Sequence, residues 1–306
     1  NENNPIDADF IIIDEFSMVG IYLFKSFLNA VGDETKLLFV GDWNQLPSVE
    51  PGFLLHDLVN SDKFHYFELS STHRQKKDSS ICINRDLILE GKTELKQDSH
   101  FIIKRFHNDS EARMEAKRIF ETLYDPVNYQ KLHVITPQQS GTIGVQGLNL
   151  LAQEIFHNAD EDHICYGEDC FYRSDKVMTV RNVYGDESYF NGNLWLVHDF
   201  CSEEMILSAD DDTNVHIHED HYEDIALAYA TTVHKYQGSE GEIIVIALPS
   251  DVAPSMISRS ILYTAVTRAI DKVIILSSEN MLERFITADI HPKRNSGIVE
   301  KLEKIL

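Results

Sequence analysis

Two carboxylates and an amide follow apolar segments near the start of the chain. Residues 10–13 read Phe-Ile-Ile-Ile and precede Asp14 and Glu15, and residues 37–40 read Leu-Leu-Phe-Val and precede Gln45. Such runs indicate buried parallel strands, whose carboxyl ends lie where doubly wound sheets bind ligands. Nucleotide hydrolysis uses these groups: one carboxylate holds Mg²⁺, a second polarises the attacking water, and an amide senses the terminal phosphate. The carboxylates could instead cap a helix, but the second segment favours the chemical interpretation.

Three further segments extend this pattern toward a known family. The Asp14 and Gln45 segments resemble motifs II and III of superfamily 1 helicases. Residues 69–75, which read Leu-Ser-Ser-Thr-His-Arg-Gln, resemble motif IV. Residues 228–240 (Ala-Tyr-Ala-Thr-Thr-Val-His-Lys-Tyr-Gln-Gly-Ser-Glu) resemble motif V, and residues 262–269 (Leu-Tyr-Thr-Ala-Val-Thr-Arg-Ala) resemble motif VI.

The segments between these motifs narrow the resemblance to one branch. Residues 137–149, 182–184 and 190–192 are similar to RecD-like helicases, the exodeoxyribonuclease V alpha-chain type. The similarity covers nearly the whole chain and keeps the family's order. It implies an α/β fold of RecA-like P-loop motor lobes, in which parallel sheets carry flanking helices.

One expected motif is missing from the sequence. The family's phosphate-binding loop, Gly-x-x-x-x-Gly-Lys-Ser/Thr, should precede motif II, but the thirteen residues before Asp14 hold no such loop. Gly91-Lys92-Thr93 has Asp86 where the first glycine belongs and follows a helix-like stretch, whereas the loop needs a strand before it. We therefore interpret Gly91 as a helix C-terminus and expect the first lobe to be incomplete, with apolar core surface left uncovered.

The order of predicted elements suggests three regions. Residues 1–75 are expected to form the rear part of the first motor domain. Residues 76–160 and 225–306 are expected to form the second. Residues 161–224 contain short alternating stretches separated by turn signals, which is typical of a small β-barrel, and the resemblance implies an SH3-like insertion there.

The resemblance assigns roles to particular residues. It implies that Asp14 holds Mg²⁺, Glu15 orients the attacking water, and Gln45 contacts water and the γ-phosphate of ATP. Arg74 and Arg268 would act as arginine fingers, a role that suits the planar, permanently charged guanidinium.

Motif V is expected to contribute the remaining contacts. Gly238 and Glu240 are assigned to the nucleotide, and Thr232, His234 and Lys235 to single-stranded DNA.

Composition sets bounds on the class of protein. The chain has 306 residues, of which 43% are hydrophobic and 25% charged, as in ordinary globular proteins. No stretch approaches the ~18 consecutive apolar residues of a membrane span, and a cytoplasmic location is expected. Its four cysteines are too few and scattered for a disulfide framework, and Cys165 and Cys170 have no evident partners for a zinc site. We therefore expect free thiols.

The net charge of −23 counts against a nucleic-acid partner, because affinity for phosphate backbones comes mostly from Lys and Arg. The acidity is uneven, however. Between Arg181 and Lys235 there is no Lys or Arg, whereas twelve Asp and Glu residues fall in that interval. Single strands are also held by base stacking, which tolerates modest local charge.

These observations predict an ATP-dependent helicase or translocase on single-stranded DNA, with 5′ to 3′ movement and a role in recombination and repair implied by the resemblance alone. Other subunits of a helicase–nuclease complex are candidate partners. The alternatives are the helicase portion of a conjugative relaxase and a non-catalytic module that binds DNA or a partner. Because it lacks the phosphate loop, the chain alone is expected to bind ATP weakly.

Overall fold

The computed structural model describes residues 5–69, 78–158, 160–185, 188–201, 203–210, 213–290 and 297–305. Its α-helices are α1 Ile21–Leu28, α2 Leu54–Asn60, α3 Ser80–Leu89, α4 Asp109–Leu123, α5 Val145–Phe156, α6 Arg259–Thr267, α7 Met281–Thr287 and α8 Ile298–Ile305. Its strands are β1 Phe10–Ile13, β2 Lys36–Phe39, β3 Phe101–Phe106, β4 Leu132–Thr136, β5 His163–Tyr166, β6 Asp169–Tyr172, β7 Lys176–Thr179, β8 Leu194–Cys201, β9 Glu204–Ser208, β10 Asn214–His218, β11 Ile225–Leu227, β12 Ala230–Thr232, β13 Gly241–Leu248 and β14 Ala269–Ser278. None of these helices is long and apolar enough to cross a membrane.

Strands β1 and β2 form a small parallel sheet, as predicted. The prediction that they are buried was wrong for one face, where Phe10 is 53% and Ile12 60% exposed. The residues around Phe16 and α2 pack against the other face, which carries Ile13 and Phe39. Apolar side chains are therefore exposed on one face of this small sheet.

A second parallel sheet has the strand order β12-β4-β13-β14-β3. Its central strands β4 and β13 are almost wholly buried, because their near-continuous apolar sequences pack on both faces. Helix α4 begins where the Asn108 side chain accepts the Glu111 N–H, and α6 begins where Ser258 accepts the Ile261 N–H. This parallel sheet with flanking helices is the predicted RecA-like fold.

Helix α3 ends in the way the sequence indicated. Gly91 adopts a φ of +75°, and its N–H donates to the Ile88 carbonyl while the Lys92 N–H donates to the Leu87 carbonyl. These are the two bonds of a glycine-terminated helix end. The Gly-Lys-Thr triplet is thus a helix C-terminus.

The segment between the two parts of the second sheet is antiparallel. Five strands pair in the order β10-β9-β8-β7-β11, with a bulge in β8 between Val197 and Asp199. Their inward side chains include Trp195, Met205 and Leu207, which join the same hydrophobic cluster as α4 and α5. Short antiparallel strands were predicted here, and both the SH3-like description and the domain boundaries remain predictions.

The expectation of free thiols was wrong for one pair of cysteines. Strands β5 and β6 form a separate antiparallel hairpin in which Cys165 lies directly opposite Cys170, and the structure joins them in a disulfide. Pairing across the hairpin brings the two side chains together, although nothing in their spacing alone required this register. Cys82, which is buried, and Cys201, which is exposed, remain thiols.

Candidate active site

Asp14 and Glu15 lie at the C-terminal edge of β1, as predicted. Asp14 is exposed and Glu15 half-buried. The Glu15 backbone is left-handed, with a φ of 48°, and its N–H donates to Oδ1 of Asp14 at 2.8 Å. This conformation costs a residue with a side chain about 1–2 kcal/mol, so the turn is held by its surroundings, including the 2.8 Å bond from the Phe16 N–H to the Val40 carbonyl.

Residues 41–46, which we call the Gln45 loop, lie against this turn. A Cβ atom on Gly41 would stand 3.1 Å from the Ser17 nitrogen and 3.2 Å from the Phe16 nitrogen, so a larger residue would push the loop away. The glycine therefore lets the second strand end approach the first. Asp42 is half-buried, and its Oδ1 accepts the Asn44 N–H at 2.9 Å, which shapes the loop.

Gln45 and Arg268 meet although 223 positions separate them in the sequence. Nη2 of Arg268 donates to Oε1 of Gln45 at 2.9 Å, and Nη1 donates to the Ser239 carbonyl at 3.1 Å. Arg268 is 2% and Gln45 8% exposed. Two polar groups predicted to sense the same phosphate thus contact each other between the two parallel sheets.

Three other hydrogen bonds connect the Gln45 loop to α6 and to the segment that follows β12. The Tyr263 hydroxyl donates to Oδ2 of Asp42 at 2.7 Å, and the Leu46 N–H donates to Oγ1 of Thr264 at 2.8 Å. Nε2 of Gln237 donates to the Leu46 carbonyl at 2.8 Å. Burial, followed by the Asp42 carboxylate, raises the pKa of the Tyr263 phenol, so this hydroxyl stays protonated and donates.

Residues 233–240, which we call the Gly238 loop, follow β12. His234, Lys235, Gly238 and Glu240 are exposed on it. Thr232 is 8% exposed, and its hydroxyl accepts the Lys235 N–H at 3.1 Å, so it shapes the start of the loop.

The structure therefore shows contacts for some of the predicted site residues and not for all of them. Gln45 and Arg268 are in contact, and the Asp14–Glu15 turn packs beside the Gln45 loop. Arg74 lies outside the described residues, so its placement remains a prediction. The sequence analysis did not identify Tyr263, Thr264 and Gln237 as contact residues. All three lie inside motifs V and VI, so their closeness in sequence to Arg268 and Gly238 was the signal that could have found them.

A second group of buried polar residues surrounds Asp175. Asp175 is fully buried, and it accepts hydrogen bonds from Gln153 Nε2 (2.7 Å), the Tyr172 N–H (2.8 Å) and the Tyr229 hydroxyl (2.9 Å). His157 Nε2 lies 3.0 Å from Oδ1 of Asp175, the oxygen that also accepts from Tyr229. Tyr229 directly precedes β12, so this cluster supports the strand that leads into the loop.

The residues present are of the types that bind Mg²⁺ and a nucleoside triphosphate. An exposed carboxylate at a strand end is a hard oxygen donor of the kind Mg²⁺ takes. The guanidinium of Arg268 suits phosphate oxygens, since its planar fork donates two parallel bonds.

Comparison with known proteins finds two matching family models and several relatives. The family model described as "AAA domain" matches residues 3–105, and that described as "UvrD-like helicase C-terminal domain" matches residues 227–276. An ATP-dependent RecD2 DNA helicase from Deinococcus radiodurans is 31% identical over 303 residues, covering 99% of this chain and 41% of that protein. The RecBCD enzyme subunit RecD from Haemophilus influenzae is 24% identical, covering 100% of this chain and 56% of that protein. The chain resembles the RecD-like helicases of superfamily 1 over nearly its whole length.

Solved structures support the fold of this RecD-like chain. A Pif1 helicase from Bacteroides in complex with ADP-AlF3 and single-stranded DNA superposes with a TM-score of 0.58 at 16% identity, over 97% of this chain and 75% of that one. A Pif1 structure described for DNA unwinding at forked duplexes gives 0.55 at 17% identity, over 97% and 73%. The chain spans about half the length of the curated relatives it matches.

Proposed function

We propose that this RecD-like chain carries the catalytic and DNA-gripping elements of an ATP-dependent helicase or translocase that moves 5′ to 3′ on single-stranded DNA in recombination and repair. The contact between Arg268 and Gln45 carries the proposal, because it joins the two parallel sheets at the residues expected to sense the γ-phosphate. The names of the Deinococcus and Haemophilus relatives support the activity class.

ATP would supply the phosphoanhydride bond, and Mg²⁺ would neutralise negative charge when that bond is cleaved. Asp14 would hold the ion, and Glu15 would orient the attacking water and accept its proton. Gln45 positions that water. Arg268, and Arg74 by prediction, spread positive charge over the transferring oxygens.

Coupling between the sheets follows from the same contacts. When phosphate oxygens compete for Arg268 and Gln45, their mutual hydrogen bond must give way, while Tyr263, Thr264 and Gln237 still tether the Gln45 loop. The loop therefore transmits the state of the phosphate to α6 and to the Gly238 loop.

The Gly238 loop would carry that signal to DNA. Its exposed His234 and Lys235 would contact the backbone of the strand, with Thr232 shaping the loop from below. Gly238 and Glu240 would contact the nucleotide. The Haemophilus relative is a subunit of the RecBCD enzyme, which supports including partner subunits in the proposal. A cytoplasmic location is also part of the proposal.

The alternatives make different predictions. A conjugative relaxase would require a linked nicking activity. A non-catalytic module has no need of two carboxylates at a strand end, nor of a buried arginine joined to a glutamine across two sheets.

The test is ATP hydrolysis with and without single-stranded DNA. It should use the 306-residue chain and a version extended upstream through a phosphate-binding loop, each with Glu15→Gln and with Glu34→Gln as an exposed control. We expect DNA-stimulated turnover from the extended protein that Glu15→Gln abolishes and Glu34→Gln preserves. Turnover that survives Glu15→Gln, or none from the extended protein, would overturn the proposal.

A further inference from the structure

The hairpin of β5 and β6 gathers three metal-ligating side chains away from the candidate active site. A ring nitrogen of His163 and the sulfur atoms of Cys165 and Cys170 all lie within 4.8 Å of one another. His163 and Cys165 share a face of β5 because they are two residues apart, and Cys170 faces Cys165 across the hairpin. We propose that the reduced hairpin binds one soft divalent metal ion of the zinc type through these three residues.

The donor set specifies the class of ion. Two thiolates and an imidazole are ligands that Zn²⁺ accepts in tetrahedral sites, whereas Mg²⁺ and Ca²⁺ prefer oxygen. Three protein ligands leave one position for water. Five acidic residues between positions 160 and 169 add a local field that attracts cations.

A hydrogen bond to the backbone favours one tautomer of His163. Nδ1 of His163 lies 2.9 Å from the Glu161 carbonyl oxygen. Because a carbonyl only accepts hydrogen bonds, Nδ1 carries the proton, and Nε2 keeps its lone pair. Metal-ligating histidines commonly donate their second nitrogen to a carbonyl in this way.

The rest of the hairpin is anchored, so the ligands need little rearrangement. Phe171 is 1% exposed in the main hydrophobic cluster, and the Cys170 carbonyl accepts from Gln153 Nε2 at 2.8 Å. The Tyr172 ring lies 4.9 Å from the His163 ring and also stacks on His157 at 4.9 Å. Cys165 and His163 are exposed, which gives an ion access.

Metal binding and the disulfide exclude each other, since both use the same two sulfur atoms. A phosphine reductant supplies the two electrons and is oxidised to its oxide, and the sulfur atoms take up two protons from water. Binding of the divalent ion then releases those two protons as both thiolates form bonds to the metal. The oxidised chain therefore has no site.

The first experiment is a Co²⁺ titration of the phosphine-reduced chain, followed optically and then displaced with Zn²⁺. We expect one Co²⁺ per chain with a sulfur-to-cobalt charge-transfer band and tetrahedral visible bands. Cys165→Ser should remove most of the charge-transfer band, and His163→Gln should weaken binding at least about tenfold. Cys201→Ser, at an exposed cysteine outside the hairpin, should change nothing. No charge-transfer band from the reduced chain, or equal loss with Cys201→Ser, would overturn the proposal.

A second measurement needs no variant and so does not depend on variant folding. Reduced wild-type chain is alkylated with iodoacetamide with and without Zn²⁺, and each cysteine is quantified by mass spectrometry. Zn²⁺ should slow modification of Cys165 and Cys170 at least about tenfold and leave Cys201 unaffected. Equal protection of all three, or of none, would contradict the site.

Discussion

The Tyr263 hydroxyl donates a 2.7 Å hydrogen bond to Oδ2 of Asp42, across 221 positions of the chain. Tyr263 is 6% exposed on α6, and Asp42 lies in the Gln45 loop, so one bond ties the helix that Arg268 directly follows to the loop that carries Gln45. A tyrosine inside motif VI thus positions a loop from the other parallel sheet.

Removing this hydroxyl should loosen that connection. Tyr263→Phe keeps the buried ring but removes the hydroxyl that donates to Oδ2 of Asp42, so we expect the free energy of unfolding to fall by roughly 1–2 kcal/mol. Urea denaturation measures it, with Tyr22→Phe, at a 65% exposed tyrosine, as control. If Asp42→Asn and Tyr263→Phe combine additively in a double-mutant cycle, the bond contributes no coupling and this account is wrong.

ATP hydrolysis should depend on the planar guanidinium group of Arg268. Arg268→Lys keeps the charge but cannot reach both Gln45 and the Ser239 carbonyl with fixed geometry. We expect DNA-stimulated ATP hydrolysis by the upstream-extended protein to fall at least about hundredfold. Arg118→Lys, at a surface arginine, is the matched control. Activity within a few-fold of wild type would show that Arg268 is only a structural residue.

The His157–Asp175 contact should make stability depend on pH. Burial alone would lower the pKa of His157, but hydrogen bonds and charges of Asp175 and Glu161 outweigh it, so the pKa is raised. The contribution is then full below the unfolded value of about 6.5 and is lost as pH rises through the higher folded value. His157→Asn should therefore destabilise the chain more at about pH 6 than at about pH 9. An equal cost at both, measured by urea denaturation against exposed His198→Asn, would refute this.

Lys176 should make stability depend on pH with a sign opposite to that of His157. Its side chain is fully buried, donates to the Leu132 carbonyl at 2.8 Å, and burial lowers its pKa to about 7. The unfolded chain binds this proton up to about pH 10.4, so stability rises with pH above about 7, by at most about 1.4 kcal/mol per unit.

The comparison is between Lys176→Met and wild type. The variant should lose the rise in stability between about pH 7 and pH 9, whereas Lys117→Met, at a half-exposed surface lysine, should keep it. An unchanged slope in Lys176→Met would mean that another group produces it.

Several local features were predictable because neighbouring residues decide them. The β4 strand at Leu132–Thr136 follows from its apolar run, and the end of α3 follows from Gly91, which can take a positive φ. The strand-end carboxylates Asp14 and Glu15 were found in the same way, since a parallel strand delivers whatever residue follows it to the edge of its sheet.

Other features were decided only by the tertiary structure. The exposed face of β1, the pairing of Cys165 with Cys170, and the buried Asp175 and Lys176 depend on which elements pack together and in which register. The sequence by itself determined the family motifs, their order, and the local elements that bear them. The bonds of Gln45 to Arg268 and of Asp42 to Tyr263 were settled by tertiary packing, because each joins residues more than 200 positions apart, and local propensity carries no information on such a distance.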